Sequence, residues 1–93
     1  MTKFTNENLS YHGGYLHYQP YADNYYEGRK FVARFKHRGP VTKGKFVAVL
    51  KKHYTVEDYF AKLDAGRAPL QILEDDGHLI FDGKFFFLEG KIL

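Results

Sequence analysis

The stretch "YTVEDYFAKLDAG", residues 54–66, carries the signals for both ends of one helix, and so limits what can stand on either side of it. Thr55 is placed to N-cap the helix, and Asp58, three residues on, takes the place of Glu in a capping box. Tyr54 and Tyr59 sit where a hydrophobic staple brackets the first turn. Val56, Phe60 and Leu63 supply an apolar stripe, and Gly66 supplies the left-handed residue that stops the helix. The spacing predicts a helix over 56–65.

The neighbours read as further short elements. Thr42 can cap a helix running to about His53, with Phe46, Val49, Leu50 and His53 on one inward stripe. Pro69 starts another helix at its first position, with Leu70, Ile72 and Leu73 apolar, and Gly77 ends it. "NLSYHGGYLHY" reads as a β-hairpin turning at Gly13-Gly14. In that register Leu9, Tyr11, Leu16 and Tyr18 face the core, and Ser10, His12, Tyr15 and His17 face water. "HLIFDGKFFFLEGKIL" reads as a three-strand meander with turns at Asp82-Gly83 and Glu89-Gly90. Its middle strand is apolar on both sides and is expected to be covered on both. "RKFVARFKHR" fits strand or helix, and the helical signals downstream favour a helix. In either form its basic side chains are expected opposite its Phe residues.

The expected fold is therefore α+β: an N-terminal β-hairpin and a C-terminal antiparallel meander packed with three or four short helices. With 93 residues there is room for one domain and one modest core. Nine Phe and eight Tyr must build most of it. The chain has no cysteine, so disulfides, thiol nucleophiles and Cys-ligated metals are excluded. No apolar stretch suggests a leader or a membrane span, which makes the cytoplasm the expected location. The short terminal strand "KIL" leaves an edge, so a monomer or a weak dimer is expected.

Charge is unevenly spread. Residues 1–28 carry a net −2, residues 29–53 a net +9 and residues 54–93 a net −4. The basic block comprises Arg29, Lys30, Arg34, Lys36, Arg38, Lys43, Lys45, Lys51 and Lys52, with no acidic residue among them. Either it is a solvated face balanced by carboxylates elsewhere, with Glu74, Asp75 and Asp76 favoured, or it meets a negative partner. Just before it, "QPYADNYYEG" holds Tyr21, Tyr25 and Tyr26 in a loop. Such a loop folds onto the core or offers its rings to a partner.

Catalytic patterns are missing. The histidines at 12, 17, 37, 53 and 78 are scattered. His12 and His17 are diagonal neighbours on the hairpin but lack a third ligand, so no metal is expected. Asp75 and Asp76 are consecutive, and their side chains diverge. "GPVTKGK" lacks the spacing of a phosphate loop. The reading is a non-enzymatic protein without cofactors. Its candidate binding residues are Arg29, Lys30, Arg34, Lys36, Arg38, Lys43, Lys45 and Lys52, with Tyr21, Tyr25 and Tyr26.

At "KFVARFKHRGP" and "TVEDYFAKLDAGRAPLQILEDDG" the chain resembles small proteins of bacteriophages and prophages, over about residues 30–77. The resemblance implies a class: an accessory or inhibitor protein, anti-CRISPR-like, that binds a host protein or nucleoprotein complex in the host cytoplasm. The alternative is direct DNA or RNA binding through residues 29–53, with charges tracking phosphates and rings stacking on bases.

Overall fold

The fold was established from a computed structural model, which describes residues 2–20, 28–35 and 41–93. Tyr21, Tyr25, Tyr26, Lys36 and Arg38 lie outside the described residues. A 3₁₀ turn at Asn6–Asn8 leads into β1 (Leu9–His12), β2 (Tyr15–Tyr18) and β3 (Lys30–Arg34). Three helices follow, α1 (Lys43–His53), α2 (Val56–Asp64) and α3 (Pro69–Asp75). The described chain closes with β4 (Leu79–Phe81), β5 (Phe86–Leu88) and β6 (Lys91–Ile92). The strands form two antiparallel sheets, ordered β1-β2-β3 and β4-β5-β6, so the architecture is α+β. No helix among the described residues is long and apolar enough to cross a membrane.

β1 and β2 pair as Leu9↔Tyr18, Ser10↔His17, Tyr11↔Leu16 and His12↔Tyr15. The connecting Gly13 and Gly14 have φ of 58° and 88°, the two positive values a type I′ turn requires. Gly14 is constrained twice. Its carbonyl accepts the Phe35 N–H at 2.7 Å, and a β-carbon on it would lie 3.0 Å from the Phe35 carbonyl oxygen. Leu16 and Tyr18 are buried, but Tyr11 is 42% exposed, contrary to its expected core position. It lies toward the rim, against Phe35 and under the Lys43 ammonium.

Residues 30–34 form a strand, not the favoured helix, because β2 offers them a ladder. The register shifts between Leu16 and His17: Leu16 pairs with Ala33 but His17 with Phe31, leaving Val32 as an extra residue. A bulged residue drops out of the ladder. The Tyr59 hydroxyl supplies a bond to its carbonyl, donating to Val32 O at 2.9 Å.

Local signals set the helices. The Thr42 hydroxyl accepts the Lys45 N–H at 3.3 Å, and the Thr55 hydroxyl accepts that of Asp58 at 3.2 Å. Gly66 has φ 93°, which suits a helix stop. α1 buries Phe46, Val49 and Leu50, whereas His53 at its end is exposed rather than inward. In α2 the fully buried residue is Tyr59, and Phe60 and Leu63 are only half-buried. Tyr59 touches the rings of Phe4, Phe46, Tyr54 and Phe60, with centroids 5.7 to 6.3 Å away, which makes it the centre of the core. In α3, Ile72 and Leu73 are buried while Leu70 points outward.

The C-terminal sheet is covered on one side only. Leu79 and Leu88 pair and are buried; Ile80, Phe87 and Ile92 lie across from one another, with Ile80 and Ile92 exposed. Phe85 is exposed and Phe86 half-buried, so the expectation of an apolar strand covered on both sides fails. A three-strand sheet with two-residue β6 at its margin has no further layer among the described residues to cover it.

Candidate functional site

The bulge determines what the outer face of the N-terminal sheet displays. In a regular strand, residues 31 and 34 would point to opposite sides. The extra residue shifts the phase, so Val32 and Ala33 both turn inward, and Phe31 and Arg34 both turn outward. The expectation that basic side chains leave opposite the Phe residues is thus corrected for this pair.

Tyr15 and His17 on β2 meet Phe31 and Arg34 on β3. Tyr15 and His17 stack at 6.3 Å with planes 23° apart. The Phe31 ring stands edge-on to both, 6.2 Å from Tyr15 and 6.4 Å from His17. The Arg34 guanidinium carbon lies 5.5 Å from the Tyr15 centroid, within cation–π range. Tyr15 is 40% and Phe31 45% exposed, so large ring area meets solvent. The pKa of His17 is lowered by burial, then by Arg29 and His12, which favours a neutral imidazole near pH 7.

The described residues of the basic block do not share one surface. Arg34 lies over the Tyr15 ring on the outer face of the sheet, and Arg29 is near enough to His17 to act on its charge. Lys30 extends past the sheet margin, its Nζ 5.4 Å from the Phe60 centroid. Helix α1 carries the remaining described lysines on two flanks. Lys43 covers Tyr11, and Lys51 donates to Asn6 Oδ1 at 3.4 Å. On the other flank Lys45 and Lys52 line a shallow depression with Leu88, Glu89 and Lys91.

At the end of α3, the described contacts of Asp75 and Asp76 are made elsewhere. Asp75 accepts a hydrogen bond from Gln71 at 2.7 Å and pairs with Arg67 at 3.6 Å; Asp76 accepts the Tyr54 hydroxyl. All three partners lie outside 29–53. The Tyr54 hydroxyl is strongly discouraged from ionising, first by burial and then by the Asp76 carboxylate.

Sequence reading passed over Tyr15, His17 and Phe31 as a group, treating the first two as an ordinary wet strand face. Alternation placed Tyr15 with His17. No local signal joined them to Phe31, because that requires the bulge. It also left His53, His78 and Glu89 apart, though folding gathers their side chains.

No family model matches the chain, no curated protein matches it in sequence, and no solved structure matches it in fold. Any function is therefore read from the site itself.

Proposed function

We propose that the protein is a non-enzymatic binder of single-stranded nucleic acid, acting in the cytoplasm through the outer face of its N-terminal sheet. Exposed aromatic rings accept unstacked bases whatever their identity, and adjacent cations follow the phosphates. A duplex hides its base faces and cannot use such a platform. The observation that carries the reading is the bulge at Val32, which sets Phe31 and Arg34 beside Tyr15 and His17.

The test is fluorescence anisotropy with a labelled oligonucleotide, single-stranded and duplex, across a salt series. The single strand binds more tightly. With Arg29 and Arg34 neutralising about two phosphates, the log–log salt slope is about −1.4. Phe31→Ala and Tyr15→Ala each weaken binding by roughly 1–3 kcal/mol, as loss of one stacking partner does. Equal affinity for duplex, or unchanged affinity in both variants, overturns the reading.

A second reading has its own support. Tyr and Arg together on an exposed face are also the residues that dominate protein interfaces. An inhibitor of a host protein or nucleoprotein complex, of the phage-encoded kind, would use the same face. Capture of a partner that survives nuclease treatment and is lost in Phe31→Ala, without affinity for the bare oligonucleotide, is its signature.

A further inference from the structure

We propose that His53, His78 and Glu89 bind a divalent transition-metal ion, with zinc the best matched, where the end of α1 meets the C-terminal sheet. One ligand atom from each residue lies within 4.8 Å of the other two. Two imidazole nitrogens and a carboxylate oxygen form a donor set suited to Zn²⁺ and Co²⁺ rather than to Mg²⁺ or Ca²⁺. Three protein donors leave one tetrahedral position for water or an external ligand.

The three residues come from separate elements, and each is held in place. His53 is the last residue of α1. His78 precedes β4; its N–H donates to Leu73 O at 2.8 Å, and its carbonyl accepts the Glu89 N–H at 3.0 Å. Its ring stands edge-on to Tyr54 at 5.8 Å. Glu89 occupies the β5–β6 turn with φ 52°, the only positive φ at a non-glycine position among the described residues. The first position of such a turn usually holds Asn, Asp or Gly. Glu is kept there against the preference of its β-carbon, and its carboxylate is hydrogen-bonded to the His53 ring.

The two imidazoles stack at 4.1 Å with planes 22° apart. A lone pair lies in the plane of its ring, so one ring turns about its Cβ–Cγ bond before both nitrogens face a shared ion. His53 and Glu89 are exposed, which leaves room for that turn. The Lys52 ammonium is close enough to act on His78 and Glu89, and it opposes a cation.

The experiment is calorimetric titration of the full chain with Zn²⁺, paired with the visible absorption of Co²⁺. One equivalent is expected to bind, with the intense absorption of a tetrahedral cobalt centre. His53→Ala, His78→Ala and Glu89→Gln each weaken binding about tenfold or more, and Lys52→Ala strengthens it. His12→Ala and His17→Ala, which remove imidazoles from the other sheet, change nothing. Circular dichroism of each variant separates lost ligation from lost fold, and His53→Asn offers a mild replacement at the exposed position. Failure of either ion to bind saturably, or binding that survives loss of His53 and His78 alike, overturns the proposal. Oligonucleotide affinity is measured on the His53, His78 and Glu89 variants, which lie away from the N-terminal sheet, and is expected to be unaffected.

Discussion

The described residues form two three-stranded antiparallel sheets with the same strand order, and their outer faces have little in common. The N-terminal sheet presents Tyr15, His17, Phe31 and Arg34, rings beside a cation. The C-terminal sheet presents the row Ile80, Phe87 and Ile92, without a charge. The first has a bulge; the second pairs in regular register. A regular ladder sends alternate residues outward and can only display what alternation allows. One extra residue changes the phase midway, so a single strand contributes both a ring and a cation to one face. Similar backbones thus yield a mixed, partner-seeking surface in one place and a plain apolar one in the other.

The largest effect that would sharpen the contrast is on stability. Leu88 is buried under the C-terminal sheet, and Leu88→Ala should cost about 2–5 kcal/mol in denaturant unfolding. Phe31 is larger but half in solvent, and Phe31→Ala should cost less than Leu88→Ala in the same assay. If the order is reversed, the Phe31 ring is a structural part of the N-terminal sheet rather than a displayed one.

Next comes the support beneath the bulge. Tyr59→Phe keeps the ring and removes the hydroxyl, leaving the Val32 carbonyl without its partner. About 1–3 kcal/mol should be lost. Amide exchange should quicken in β2 and β3 more than in β4 and β5. A uniform increase across both sheets would mean that Tyr59 supports the whole core and not the bulge.

A smaller effect should appear in acid. Both Glu57 carboxylate oxygens accept the Thr2 N–H, at 3.1 and 2.9 Å, and these bonds hold its pKa at about 2, below the ordinary 4.5. A lowered carboxylate pKa stabilises the fold fully above the unfolded value, and that contribution is lost as pH falls through the folded value. Stability should therefore decline from about pH 4.5 toward 2, and Glu57→Gln should flatten the decline. Between β4 and β5, the Asp82 carboxyl is lowered by the N–H groups of Phe85 and Lys84, so Asp82→Asn should flatten what remains.

The smallest effect belongs to the plain apolar row. Ile80→Thr is exposed and should change stability by no more than about 0.5 kcal/mol. Oligonucleotide affinity should not change at all.

Features encoded within a few residues were legible in the sequence. The Gly13-Gly14 turn, the Thr42 and Thr55 caps, the Gly66 stop and the Pro69 start each need only their neighbours, and each stands at its expected place. Strand β3 was not legible. The bulge makes Phe31, Val32, Ala33 and Arg34 read out, in, in, out, a pattern closer to a helix period than to alternation. Nor does it carry a glycine to mark it. The burial of Tyr59 was missed for a related reason. A staple position predicts a contact with Tyr54, whereas the ring also fills a space bounded by Phe4 and Phe46, which no local pattern encodes. The gathering of His53, His78 and Glu89 depends on how a helix end, a strand entry and a turn converge, and only tertiary structure decides that. Of the displayed face, alternation gave Tyr15 and His17; Phe31 and Arg34 had to wait for the register.

The bond from Tyr59 to Val32 also has a consequence for the order of events during synthesis. Strands β1, β2 and β3 leave the ribosome before the helix that covers them. Until α2 emerges, the Val32 carbonyl has no Tyr59 hydroxyl to accept from and must rely on water. The nascent N-terminal half therefore spends its early life as an unfinished surface, and the arrival of one tyrosine completes it.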